Sequence, residues 1–147
     1  MVARPKSSQF IHYQQFQMDS LALGQLFLPA LQKMGVRIPN LQCAVLCTPD
    51  GFNICSLGLT ENQVGKMAAL SSSLFSVGDA TVVSVAPNDI AMGALDLITL
   101  EAGGLQIVSI KIPRHNSHMV LLAGARAPLG VVLMGVKATA AEVQKIL

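Results

Sequence analysis

The run Leu59–Val64, LTENQV, constrains this chain more than any other stretch. Thr60 can accept a hydrogen bond from the Gln63 N–H while the Gln63 side chain returns to the Thr60 N–H, and Leu59 and Val64 occupy the positions of a hydrophobic staple. A helix therefore begins at Glu61. No proline follows until Pro87, which leaves room for about seven turns ending near Val85. On this helix Met67, Leu70, Leu74 and Val77 form an apolar row that Val64, Ala68, Phe75 and Val82 widen, as a core-facing surface requires. The opposite side offers Ala69, Ser73, Ser76 and Ala80, and only Glu61, Lys66 and Asp79 are charged. Solvated helix faces carry Lys and Glu. A row of small neutral residues instead suits the close approach of another backbone, and the expectation is a second copy of the same helix, with Ala69, Ser73, Ser76 and Ala80 in a homodimer interface.

Composition supports a covered surface. Of the 147 residues, 52% are hydrophobic and 12% charged, about half the charge share of ordinary soluble domains, and mean hydropathy is +0.54. Length allows one domain with a sizeable core. Gly, Pro, Ser, Gln or a charge interrupts every apolar run before the roughly 20 residues of a spanning helix, so the expectation is burial against protein and no membrane insertion. A net charge of +2 with scattered Lys and Arg gives no footprint for nucleic acid. The first residues, MVARPKSSQFIHYQQFQMD, lack the apolar core of a signal peptide, and a cytoplasmic protein is expected.

Two turns organise the strands. Leu41–Thr48 and Phe52–Leu57 are apolar runs flanking Pro49-Asp50-Gly51, where proline presets φ and glycine accepts the positive φ of a bulged hairpin. Beyond the long helix, Ile90–Ala102, Leu105–Ile112 and His118–Ala125 read as an antiparallel meander broken at Gly103-Gly104 and at Pro113–Ser117. The Gly-Gly turn sets Ala102 opposite Leu105, Leu100 opposite Ile107, and Asp96 opposite Lys111 as a cross-strand ion pair. A last helix follows Pro128, with Leu129, Val132, Val136, Ala140, Val143 and Leu147 at helical spacing. An early helix, about Ser20–Met34, contains Pro29, which should kink or split it. Residues 1–18 form an N-terminal arm and residues 19–147 the domain.

No constellation for catalysis emerges. Cys43, Cys47 and Cys55 spread over two strands without a neighbouring His, which reads as core packing rather than a metal site. His115 and His118 flank a loop without companion ligands. Gly124–Pro128 lacks the Walker and dinucleotide patterns, and Ser71-Ser72-Ser73 lacks a nucleophile elbow and a base. The expectation is no enzyme activity, no cofactor and no metal. Five antiparallel strands apolar on both sides need cover on both faces. The fold class is thus α+β, a five-stranded antiparallel sheet sandwiched between the long central helix on one face and the N- and C-terminal helices on the other.

The run VLCTPDGFNICSLGLTENQVGKMAALSSSLFSVGDA resembles the core of the roadblock/dynein light chain domain. EAGGLQIVSI, Glu101–Ile110, resembles that family's Gly-containing hairpin, and AGARAPLGVV, Ala123–Val132, its approach to the last helix. The resemblance covers roughly residues 20–147. It implies a roadblock-like, profilin-like sandwich and a non-enzymatic module that dimerises through edge strands and long helices across a two-fold axis. It also implies a regulator or scaffold for a small Ras-like GTPase or a motility or transport assembly. Glu61, Asn62 and Lys66, at the start of the long helix, are the expected partner-binding positions. The low charge of the helix surface, Pro29 and the arm depart from the family pattern. The alternative function is a small-molecule-binding sensor domain of related sandwich architecture.

Overall fold

The structure, a computed structural model, describes the backbone of residues 6–147 and the side chains of residues 22–147. Eight elements follow one another: α1 (Lys6–Arg37), β1 (Leu41–Cys47), β2 (Asn53–Leu57), α2 (Glu61–Val85), β3 (Leu97–Ala102), β4 (Leu105–Arg114), β5 (Ser117–Ala125) and α3 (Leu129–Ile146). The strands form one antiparallel sheet in the order β2-β1-β5-β4-β3. α1 and α3 pack together on one face and α2 lies on the other, as the α+β sandwich requires.

Local chemistry explains the turns. Gly51 takes φ +88°, its N–H donates to the Thr48 carbonyl, and the ladder shifts register between Leu46 and Cys47, which is the bulged hairpin that Pro49-Asp50-Gly51 encodes. Gly103 and Gly104 both have positive φ, and Ala102 pairs with Leu105 and Leu100 with Ile107.

The larger core lies under α1 and α3, where Phe27, Leu31, Met34 and Ile38 meet Leu46, Val108, Leu121, Val132 and Val136. The smaller lies under α2 and consists of Val45, Cys47, Ala68, Phe75, Val120 and Leu122, with partly buried residues around them. Ion pairing adds a clasp between the helices of the first layer, Arg37 to Glu142, and the guanidinium holds the half-buried Glu142 carboxyl below its ordinary range.

Several expectations are corrected. α1 runs unbroken through Pro29; Phe27, Ala30, Leu31 and Met34 are all buried, so packing on both sides of the proline offsets the roughly 3 kcal/mol it costs a helix. Residues 6–18 of the expected arm are helical, and residues 1–5 lie outside the described residues. β3 starts at Leu97 rather than Ile90. The Asp79 carboxylate accepts the N–H groups of Gly93 (2.7 Å) and Leu95 (3.1 Å) and fixes residues 86–96 as a loop. Asp96 and Lys111 are in register, the Lys111 N–H donating to the Asp96 carbonyl, but they form no ion pair. The Lys111 ammonium instead donates to the Gly93 carbonyl at 3.0 Å and sits 5.4 Å from the centre of the Phe75 ring. The β4–β5 turn shrinks to His115 and Asn116, with Pro113 and His118 paired in the strands. Pro128 is the N-cap of α3, which starts at Leu129.

Candidate functional site: the outer face of α2

α2 starts where its sequence dictates. Thr60 adopts extended backbone and accepts from the Gln63 N–H at 3.3 Å, while Gln63 Oε1 accepts from the Thr60 N–H at 3.0 Å. The helix then lies on the sheet along a narrow stripe, for only Ala68, Ser71, Phe75 and Asp79 are buried. Leu70 and Val77, expected in the core, are 45% and 66% exposed. The reason is angular: at 100° per residue they stand nearly opposite Ala68 and Phe75, so a helix meeting one flat sheet leaves them outside.

Ala69, Ser73, Ser76 and Ala80 are all exposed on this same outer side, which brings the four predicted interface positions together with Leu70, Val77 and Thr81. The serine and threonine hydroxyls are largely turned back into the helix: Ser76 donates to Ser72 O, Thr81 to Val77 O and Ser84 to Ala80 O. Asp79, the only charged residue between Met67 and Val85, is turned inward onto the loop amides. Over about 28 Å of helix, the outer face therefore presents small and apolar groups and no charge. A shallow, open groove of about 640 Å³ lined by Ser76, Val77, Ala80, Thr81, Ser84 and Val85 runs along its C-terminal half.

Beside this face lies β3. It pairs with β4 on one side only and ends the sheet, and Leu100 and Met92 nearby are exposed. Gly78 brings helix and edge close, since a Cβ there would stand 2.5 Å from Leu95 and 3.4 Å from Ile98. Glu61, Asn62 and Lys66 are exposed at the N-terminal end of α2. The Asp79 clasp and the open β3 edge were not singled out from sequence, because both depend on contacts between residues distant along the chain.

α2 is also long and apolar enough to cross a membrane by length and composition, with a mean hydropathy of 1.3 over its best window. This corrects the expectation that no stretch reaches that level. It nevertheless packs on the sheet through Ala68 and Phe75 and connects β2 and β3 of that one sheet.

Elsewhere the chemistry is muted. Burial pushes the Cys47 and Cys55 thiols up to about 12 and raises Cys43 as well, the opposite of what a nucleophile or metal ligand requires. Among the described residues, no three His, Cys, Asp or Glu side chains come together. His118, expected to open a strand beside a loop, is half-buried on β5; burial first, then the Lys111 charge, hold its imidazole below the ordinary value against the pull of Asp79.

The fold defined by this sheet and these helices is the roadblock/LC7 fold. The structure superposes on a Roadblock/LC7 domain from Streptomyces avermitilis with a TM-score of 0.67 and 22% identity, covering 78% of this chain and 91% of that one. It also matches an MglB structure with a tetrameric arrangement (TM-score 0.70, 16% identity, 85% and 90% covered). A third match is the gliding protein MglB of Thermus thermophilus (TM-score 0.67, 14% identity, 85% and 90% covered). No family model and no curated protein sequence matches the chain.

Proposed function

We propose that this chain is a non-enzymatic homodimeric module, a regulator or scaffold that engages a small Ras-like GTPase or a motility or transport assembly in the cytoplasm. The observation that carries the reading is the charge-free outer face of α2 lying beside the unpaired edge of β3. Apolar helix surface exposed at Leu70, Val77 and Val85 is costly in water, and an unpaired edge strand invites pairing. A two-fold axis between α2 helices satisfies both at once, with Ala69, Ser73, Ser76 and Ala80 allowing close approach. The shared fold supports the reading, since one of the similar MglB structures is described as tetrameric and another as a gliding protein.

In such a dimer Glu61, Asn62 and Lys66 stand at the ends of the helix pair and form the partner-binding rim. The sensor alternative requires a chamber between sheet and helix, and Val45, Phe75, Val120 and Leu122 fill most of that space, leaving a cavity of about 150 Å³ beside Asp79 and Lys111, below the roughly 300 Å³ at which ligand pockets begin. The experiment is capture of small Ras-like GTPases, loaded with GDP or a GTP analogue, by the immobilised full chain. Preferential retention of one nucleotide form is expected, and Lys66→Glu should weaken it by about tenfold at low salt while leaving dimerisation intact. Absence of GTPase retention, or identical curves for wild type and Lys66→Glu at two salt concentrations, would count against the GTPase and the rim respectively.

A further inference from the structure

The loop 86–96, which joins α2 to β3, is held through Gly93 from two sides. Its N–H donates to Asp79 of α2 at 2.7 Å, with the Leu95 N–H beside it at 3.1 Å, and its carbonyl accepts from the Lys111 ammonium of β4 at 3.0 Å. Asp79 and Lys111 line one cavity of about 150 Å³ under α2, and His118 is the third ionisable side chain in its wall. Strand register puts it there. Lys111 pairs with Val120 and Pro113 with His118, so Lys111 and His118 both leave the sheet on the Val120 side, toward α2.

A proton on His118 would be opposed in this wall. Burial first and the Lys111 charge second disfavour the imidazolium, against the pull of Asp79. Asp79 is not free to turn toward it, since Oδ2 accepts from Gly93 and Oδ1 from Leu95. Lys111 is the group able to yield: its ammonium ends a flexible stem, held by the Gly93 carbonyl and by the Phe75 ring, whose centre is 5.4 Å away. The remaining charges lie outside this arrangement. Asp50 and His115 share an adjoining cavity with His118 but are exposed, so water screens them. Arg114 lines that same cavity, yet it pairs with Ser117 and leaves β4 on the opposite face.

We propose that Asp79, Lys111 and His118 form a proton-operated latch on the loop 86–96. Acidification charges His118, the imidazolium repels the Lys111 ammonium from the Gly93 carbonyl, and the loop loses its hold on β4. Once open, the loop lets Lys111 swing into solvent, so the open form takes up the proton more readily than the latched one. The latch is therefore complete above the ordinary histidine value of 6.5 and weakens as pH falls below it. It stands on this cluster alone; only its consequence for the dimer, whose α2 face and β3 edge the loop connects, rests on the reading above.

Amide hydrogen exchange of the isotopically labelled full chain, read by NMR and corrected for the intrinsic effect of pH, tests it. Protection at Gly93 and Leu95 should fall by about tenfold, a coupling of ordinary size, between about pH 7.5 and about pH 5, while Leu121 in the central strand keeps its own. His118→Gln should abolish that fall, and His115→Gln, at an exposed position, should leave it intact. Lys111→Met should show the weaker protection already at the higher pH and no further loss on acidification. Ser73→Arg, which targets the α2 face, should respond as wild type does, which separates the latch from the dimer. Far-UV circular dichroism confirms that the variants are folded. Wild-type protection that ignores pH, or an equal fall in His118→Gln, would overturn the proposal. So would an equal loss at Leu121, which would mean that the whole sheet opens rather than the loop.

Discussion

Gly24 lets α1 lie directly on β2, because a Cβ at that position would stand 2.6 Å from the Ile54 carbonyl oxygen. That neighbour is backbone and cannot rotate away. Gly24→Ala should therefore lose about 1–3 kcal/mol in urea denaturation, and an unchanged midpoint would place the helix farther from the sheet than described. The cysteines show a second residue-level effect. Cys47 and Cys55 are buried with thiols shifted from 9.0 to about 12, so the unfolded chain releases their protons first. Stability contributed by the neutral thiols is complete below pH 9 and declines as pH rises toward about 12. Cys47→Ala should flatten that decline, and Ellman's reagent at pH 8 should leave Cys47 and Cys55 unmodified until denaturant is added; rapid reaction of all three thiols in the folded protein would contradict the burial. That these cysteines pack rather than react was readable from their spacing, whereas the role of Asp79 was not. A lone acid on a helix reads as a surface charge until the fold brings the Gly93 and Leu95 amides to it.

Among the elements, α2 was the most readable, since Thr60, Gln63 and the absence of proline up to Pro87 are local signals. Thr60→Ala should lower stability by about 1 kcal/mol, seen as a reduced urea midpoint with unchanged slope, and no change would mean that packing alone sets the helix start. The two glycine turns were readable for the same reason, because positive φ is a property of the residues themselves. β3 was misjudged at its start, where the apolar run from Ile90 to Met92 has strand composition and the competing hydrogen bonds come from a helix. α1 was cut short because Gln-rich sequence between Lys6 and Met18 lacks helical apolar periodicity, and because the packing that carries the helix through Pro29 lies on β1, β2 and α3. The division of α2 into a buried stripe and an open face was misread by about a third of a turn. Leu70 and Val77 belong to the same row as Met67 and Leu74 in sequence pattern, and only contact with a flat sheet separates them.

At the scale of the whole molecule the two faces of the sheet are unequal. α1 and α3 close one face over a large core, and α2 alone covers the other, turning a charge-free surface outward next to an open strand edge. This asymmetry accounts for a low charge content that a lone domain would not explain, and it is the ground for a second copy of the chain. The composition announced that some surface is covered, and the helix pattern indicated which, while the adjoining strand edge emerged only from the topology. Sedimentation equilibrium across the micromolar range tests this most directly. Wild type should have twice the 15.5 kDa mass of one chain, and Ser73→Arg, exposed in the isolated fold, should shift the equilibrium toward monomer by at least about tenfold, because a desolvated cation would be forced into the helix contact. A wild-type protein that remains at 15.5 kDa throughout that range would contradict the dimer and with it the platform on which the proposed function stands.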